Sequence, residues 1–209
     1  MGLCRVPYIS LDNKHYRPSL EVIFHFNKVS TPITFGLVDS GADHIVIPYS
    51  LGSRIGLPSP TNQEQLLSAS GVGGSVNYVE KQCTVFLINK PNKLMYGFKE
   101  TVWWIYPNKA LLKQMSDLMA RHQRLKKYQD QCKPNTELGG YFKNEMNTVF
   151  HELVSLNNKL EEAGVLLGRP FFNNFRFIQF FQKDRGVEKT CFFNYQINKK
   201  KVNSTIKLP

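Results

Sequence analysis

The chain has 209 residues, of which 42% are hydrophobic and 12% aromatic, and its 27 Lys and Arg against 16 Asp and Glu give a net charge of +11. This composition excludes a disordered tail and a low-complexity linker, and the length suits one domain with its own core. The longest candidate for a membrane span, 165–181, is interrupted by Arg169, Pro170 and Arg176, and no apolar stretch resembles a secretory signal. We therefore expect a cytoplasmic protein without a membrane partner.

The four cysteines are far apart and form no CxxC pair. A structural zinc site usually takes its ligands in close pairs, so this spacing argues against a metal. The pattern predicts four free thiols in a reducing compartment and no metal. The residues are Cys4, Cys83, Cys132 and Cys191. We expect no cofactor either, because the sequence has no dinucleotide-binding or phosphate-binding loop.

Five short runs of strand-forming residues fill the first half of the chain, with Gly and Pro clusters between them. Alternating β-branched and aromatic residues are typical of strands. Short strands with frequent turns predict a sandwich or a small barrel. The predicted strands are 20–26, 33–38, 45–47, 78–88 and 101–106.

Helical spacing replaces this alternation after Pro107. Apolar residues recur every three or four positions in two stretches, the first preceded by Asn108 as N-cap and the second closed by Gly164. Two antiparallel helices are the simplest interpretation. Because strand patterns return at 165–167, 175–181 and 190–197, we predict a single, mainly β domain over 1–209 with a helical insertion at 108–163.

One segment carries the most chemical information. An apolar strand ends directly in Asp39, Ser40, Gly41, Ala42 and Asp43. A buried strand would hold the Asp39 carboxylate rigidly at its end, and glycine at 41 permits a close backbone approach. Taken alone, Asp-Ser-Gly is also common turn chemistry.

Two further segments accompany it downstream. A glycine cluster between two strand-like runs predicts the mobile tip of a β-hairpin, and it comprises Gly71, Val72, Gly73 and Gly74. The second segment is an apolar strand that ends in Gly168 and Arg169. Each of them is unremarkable by itself.

In this order, the three segments resemble the retropepsin family of retroviral-type aspartic proteases. That family shows an apolar-apolar-Asp-Thr/Ser-Gly-Ala signature, a glycine-rich flap and a late apolar-apolar-Gly-Arg element. The resemblance covers 16–106 and 164–197 and implies a closed, barrel-like acid protease fold. We expect the stand-alone microbial type of this family, since the chain starts with Met1 and shows no polyprotein flanks. Pro170 departs from the acid or Asn that usually follows Gly-Arg, and the helical insertion is foreign to the short viral enzymes.

Hydrolysis by this chemistry requires two carboxylates that share a proton, because two like charges about 3 Å apart cannot both ionise. The chain contains one Asp-Ser-Gly triplet. A second copy must then supply the other carboxylate, with the site on the two-fold axis. We expect a homodimeric aspartic endopeptidase with Asp39 as the catalytic residue and a peptide or protein as the substrate.

The resemblance also implies the roles of the other site residues. Ser40 and Gly41, with Ala42, form the active-site loop and lock it to the partner's loop. The glycine cluster 71–74 closes over an extended substrate, and Asp43 belongs to the substrate-binding side. Gly168 and Arg169 have a structural role at the dimer contact, where Arg169 pairs with Asp43.

A binding module is the alternative interpretation. Seven basic residues against two acidic ones give 108–133 a net charge of +5, and four more lysines lie in the C-terminal tail. Such patches can bind phosphates or acidic partners, and an inactive protease fold could use them. The ordinary interpretation is a solvated helix face. No aromatic interleaving or known nucleic-acid motif accompanies these charges, so the sequence argues against a nucleic-acid partner.

Overall fold

The computed structural model describes residues 3–10, 15–61, 64–71, 74–132, 136–161, 164–181 and 191–208. The α-helices in these ranges are α1 (Tyr49–Arg54), α2 (Lys109–Gln131), α3 (Glu137–Glu161) and α4 (Arg169–Phe172), and single 3-10 turns lie at Lys90–Asn92 and Lys199–Lys201. The strands are β1 (Cys4–Pro7), β2 (Ile9–Ser10), β3 (Tyr16–Arg17), β4 (Ser19–Phe26), β5 (Val29–Ser30), β6 (Thr34–Val38), β7 (Ile45–Ile47), β8 (Leu67–Gly71), β9 (Gly74–Asn89), β10 (Leu94–Ile105), β11 (Val165–Leu167), β12 (Phe175–Phe181), β13 (Phe192–Ile197) and β14 (Ser204–Lys207).

Six strands close into a barrel. Their order is β10-β7-β11-β6-β4-β9, and the ring closes because the whole of β10 also pairs with β9. β14, β8 and β5 extend this sheet outside the ring. Together with the helical hairpin, the barrel makes the architecture a mixture of α and β structure rather than the mainly β chain that the sequence predicted.

Successive side chains of a strand point to opposite faces, so every second side chain of each barrel strand lies inside the barrel. On β4, Leu20, Val22 and Phe24 are at most 2% exposed, and the neighbouring strands contribute their own buried sets. The largest fully buried side chains of the core are aromatic, and they include Tyr96, Phe98, Trp104, Phe171 and Phe193. Burying these side chains is the main favourable contribution to the fold.

The predicted strands are confirmed, but two of them are longer than their sequence pattern. β9 has 16 residues and β10 has 12, and together they form a hairpin around Lys93, whose φ is +51°. The first half of β10 escapes sequence recognition because charged residues such as Lys99 and Glu100 interrupt its alternation. Pairing with β9 keeps these positions in the sheet.

The predicted insertion is a hairpin of two helices joining β10 to β11. The Asn108 side chain accepts a hydrogen bond from the backbone N–H of Leu111 at 2.9 Å, which confirms the N-cap. The helices pack mainly on each other, around Leu118, Val149 and Leu156. At the hairpin's base, Glu161 accepts hydrogen bonds from the backbone and the hydroxyl of Ser50 on α1.

A second, three-stranded sheet lies beside the barrel. Its order is β1-β13-β12, so it combines the beginning of the chain with a region near its end. We call it the terminal sheet. A short hydrogen bond from Asn174, just before β12, to Glu100 on β10 ties it to the barrel. In the ranges that the structure describes, no helix is long and apolar enough to cross a membrane.

Candidate active site

The candidate site is the loop 39–44, which we call the Asp39 loop. It connects β6 to β7, but these two strands are not neighbours, since β11 lies between them. β11 is parallel to β6, with Leu167 beside Val38, and antiparallel to β7. The loop must therefore cross the end of β11, and this crossing brings segments more than 120 residues apart in sequence into contact.

Four backbone donors hold the Asp39 loop in place. The N–H of Asp39 donates to the carbonyl of Leu167 at 3.2 Å, and the N–H of Arg169 donates to the carbonyl of Ala42 at 2.9 Å. Within the loop, Gly41 N–H donates to Asp39 Oδ1 at 2.8 Å, and Ala42 N–H donates to the Asp39 carbonyl at 3.3 Å. The half-buried Asp39 carboxylate thus has a defined orientation.

A local contact explains why residue 41 is a glycine. A β-carbon at this position would lie 3.2 Å from Asp39 Oδ1, the atom that Gly41 N–H itself contacts. A side chain would crowd this hydrogen bond, as the sequence pattern predicted. Ser40 and Gly41 are exposed at the loop's tip, where a partner could reach them, but their role in locking two loops stays a prediction.

Gly168 fits closely beneath the loop. A β-carbon there would lie 2.3 Å from the carbonyl oxygen of His44 and 2.6 Å from that of Ala42. The φ of Gly168 is −78°, so space and not backbone conformation requires glycine. Pro170 also has a structural explanation, because proline suits the first turn of a helix such as α4.

The structure brings Asp43 and Arg169 together as predicted. The guanidinium Nη2 of Arg169 contacts Asp43 Oδ1 within one chain. The two side chains are 64% and 61% exposed, respectively, so water screens the pair. A role for Gly168 and Arg169 at a dimer contact, and for Asp43 in substrate binding, stays a prediction.

The predicted flap is a β-hairpin in the described residues. β8 and β9 pair antiparallel as far as Gly71 and Gly74. Val72 and Gly73 lie outside the described residues. The hairpin itself is confirmed up to that point, whereas its closure over a substrate stays a prediction.

A stack of three rings links the Asp39 loop to the root of this hairpin. His44 stacks on Trp103 with centroids 3.3 Å apart, and Trp103 stacks on Tyr78 of β9 at 3.6 Å. The Trp103 indole N–H donates to Glu80 at 3.0 Å. Partial burial lowers the pKa of His44, and nearby Glu80 opposes this shift. Sequence reasoning missed the stack because its members come from three separated segments; the only local signal was His44 following Asp43.

Other features of the described residues do not add to this site. No three His, Cys, Asp or Glu side chains in those ranges lie close enough together to hold a metal ion. A cavity of about 300 Å³ lies between β1, β4 and the turn after β9, with Leu20 and Tyr195 in its wall, and its lining includes no residue of the Asp39 loop.

No protein-family model matches the chain, and no curated protein matches it in sequence. The interpretation of the site therefore rests on its residues and their geometry.

Proposed function

We propose that the protein is an aspartic endopeptidase that acts as a homodimer, with the Asp39 carboxylates of two chains forming its catalytic pair. The observation that carries the proposal is the hydrogen-bonded Asp39 loop, held across the end of β11 by Leu167 and Arg169. A half-buried carboxylate that is held firmly at a strand end is suited to act as a general base on water.

In the dimer, the two carboxylates share a proton, since two negative charges at about 3 Å repel each other strongly. One carboxylate takes a proton from water as the water attacks the peptide carbonyl. The other donates its proton to the carbonyl oxygen. The bond to the leaving nitrogen then breaks as the first carboxyl donates its newly gained proton to that nitrogen. A hydroxyl of the tetrahedral intermediate returns a proton to the second carboxylate, so the pair again holds one shared proton.

The hairpin of β8 and β9 supports an extended substrate in this proposal. A peptide in β conformation can add its backbone hydrogen bonds to a neighbouring strand. Closure of a hairpin tip over the peptide excludes water from the reacting bond. The glycines at 71 and 74 flank that tip.

Asp39→Asn tests the proposal in the full-length chain. The amide is nearly isosteric and still accepts the Gly41 hydrogen bond, but it cannot serve as base or acid. We expect cleavage of an unstructured protein such as casein to be abolished while circular dichroism and the oligomeric state stay unchanged. Asp117→Asn on the exposed face of α2 is the matched control and should cleave as the wild type does.

Two further measurements accompany this test. A statine-type inhibitor should block cleavage, and specific activity should fall on dilution as the dimer dissociates. Cleavage by Asp39→Asn near the parent rate contradicts the proposal, and so does full activity in a demonstrated monomer. A folded wild-type dimer that cleaves nothing would favour the binding-module alternative.

A further inference from the structure

We infer that the outer face of the terminal sheet binds single-stranded nucleic acid. The inference is independent of the proposed proteolysis, because no residue of the Asp39 loop contributes to it. It begins from the alternation of side chains on β13. Phe193, Tyr195 and Ile197 point into the core, so Phe192, Asn194 and Gln196 lie on the opposite face.

Strand register adds the other members of this face. Residues directly opposite each other on antiparallel strands share a face. Arg5 on β1 and Gln179 on β12 both pair with Asn194. Likewise, Phe181 pairs with Phe192, and Phe177 pairs with Gln196. The aromatic face, as we call it, comprises Arg5, Phe177, Gln179, Phe181, Phe192, Asn194 and Gln196.

A continuous stack crosses the three strands at one end of the aromatic face. The Arg5 guanidinium lies 3.8 Å from the centre of the Phe192 ring. The Phe181 ring is stacked on Phe192 from the next strand, with centroids 4.7 Å apart and an angle of 20° between the planes. Phe177 lies at the other end and is 42% exposed. Phenyl faces and a guanidinium plane on an antiparallel sheet are the groups on which unpaired bases stack.

At the centre lies a buried amide whose oxygen meets no donor in the part of the chain that the structure describes. Asn194 is only 9% exposed, and its Oδ1 has no hydrogen-bond partner among the described residues. A buried acceptor without a partner costs free energy, and a ligand donor that reached Oδ1 after a neighbouring side chain shifted would remove this cost. The amino or imino N–H of a base is such a donor, and the exposed Gln179 beside it offers both a donor and an acceptor.

The charges around the aromatic face suit a polyanion. Arg5 lies on it, Arg176 is exposed on β12, and three exposed lysines, 199–201, follow β13 after Asn198. The whole chain carries +11. These cations can contact phosphates while the rings contact bases, a combination that separates single strands from duplexes, whose bases are already stacked.

Fluorescence anisotropy with the full-length protein tests the inference. The probe is fluorescein-labelled oligothymidylate of about 20 nucleotides, compared with a duplex of equal length at about 50 and 200 mM salt. We expect the single strand to bind more tightly than the duplex and its affinity to fall with salt. Phe181→Ala should weaken single-strand binding about tenfold, the usual effect of losing one stacking ring. Phe150→Ala removes a phenyl ring that is 54% exposed on α3, and it should leave the oligonucleotide affinity unchanged.

A second pair of variants tests the inference even if Phe181→Ala fails to fold. Gln179→Glu adds a negative charge to the exposed centre of the aromatic face and should weaken binding about fivefold, whereas Gln114→Glu adds the same charge to exposed α2. Gln114→Glu should bind as the wild type does. Asp39→Asn should also bind the oligonucleotide as the wild type does. The binding result therefore does not depend on whether the protein is a protease.

Three results would overturn the inference. The first is no binding of the oligonucleotide at the lower salt concentration. The second is binding that Gln114→Glu weakens and Gln179→Glu does not, which would place the polyanion on the basic helix instead. The third is a shift in the sedimentation of Phe181→Ala without any change in oligonucleotide affinity, which would make the aromatic face a contact between copies of the chain.

Discussion

The α-carbon of Gly168 lies so close to the Ala42 carbonyl that a β-carbon there would be 2.6 Å from its oxygen. This contact arises because the Asp39 loop crosses the end of β11. The adjacent hydrogen bond from Arg169 N–H to Ala42 then fastens the loop. The candidate catalytic loop and the late Gly-Arg element are therefore one structural unit.

Gly168→Ala should destabilise this unit. The added methyl group meets two backbone carbonyls, which cannot move as a flexible side chain would. Overpacking of this kind costs about 1–3 kcal/mol in the free energy of unfolding, measured in urea. We also expect peptide cleavage to fall, because the shift displaces the loop that carries Asp39.

Gly140→Ala is the matched control. It makes the same substitution in helix α3, where an added β-carbon meets nothing within 4 Å. Alanine favours a helix over glycine by up to about 1 kcal/mol, so the free energy of unfolding should rise slightly. Equal effects of the two variants would contradict the close approach at Gly168.

Arg169→Ala should change the free energy of unfolding of the single chain by less than about 1 kcal/mol, because both partners of the Asp43 pair are more than 60% exposed. Urea unfolding with a double-mutant cycle measures this value. Sedimentation measures dimerisation separately, and there we expect Arg169→Ala to weaken association. An unchanged monomer–dimer constant would show that the pair contributes nothing to the dimer contact.

The thiols should differ strongly in their reactivity. Burial raises the pKa of Cys83 to about 12, and Cys4 and Cys191 are also buried. Only the thiolate reacts, so these three should label slowly with a disulfide reagent in the native protein. Cys132, at the end of α2, is less buried and should label first. Mass spectrometry of partly labelled protein identifies the site, and rapid labelling of Cys83 would contradict its burial.

Glu100→Gln should make stability less dependent on pH. Burial raises the pKa of Glu100 in the folded state, although Asn174 and Lys201 oppose this shift. A raised folded pKa favours the protonated form, so the contribution to stability is greatest at acid pH and falls as pH rises from the ordinary carboxyl pKa through the folded value. Glutamine cannot ionise, yet it still accepts the Asn174 hydrogen bond. Thermal unfolding near neutral pH should therefore shift upward.

Glu152→Gln is the control for this experiment, since Glu152 is exposed on α3. Its unfolding should keep the parent's dependence on pH. A lower stability of Glu100→Gln at neutral pH would mean that the opposing interactions outweigh the burial of the carboxylate.

Replacing 109–162 by a short Gly/Ser loop should leave the barrel folded, because the helical hairpin packs mainly on itself and contacts the barrel near its base. From the sequence, we expect the hairpin to cover the cleft or widen the dimer contact. The shortened chain should then show a changed cleavage preference or a weaker dimer in sedimentation. If it folds, dimerises and cleaves all substrates as before, the hairpin has neither role.

Much of the fold and of the candidate loop was predictable from local pattern. β7 and β11 have the predicted boundaries, because their apolar residues stand out from the surrounding turn residues. The Asn108 cap, too, depends on groups only three residues apart. The candidate loop was recognisable because an apolar strand ends directly in Asp39, Ser40 and Gly41, which are residue types typical of turns. The hydrogen bond from Gly41 N–H to Asp39 is equally local. The stack of His44 on Trp103 had no such signal.

By itself, the sequence determined the main barrel strands and the two helices of the hairpin, and which strand ends in a carboxylate, because alternation, helical spacing and capping act between near neighbours in the chain. Only the tertiary structure decided what those segments meet. The insertion of β11 between β6 and β7 brought Gly168 beneath Ala42, and the pairing of β1 with β13 brought Arg5 onto Phe192. Such contacts join residues more than a hundred positions apart. Their partners are chosen by burial and strand register over the whole barrel, which no local pattern records.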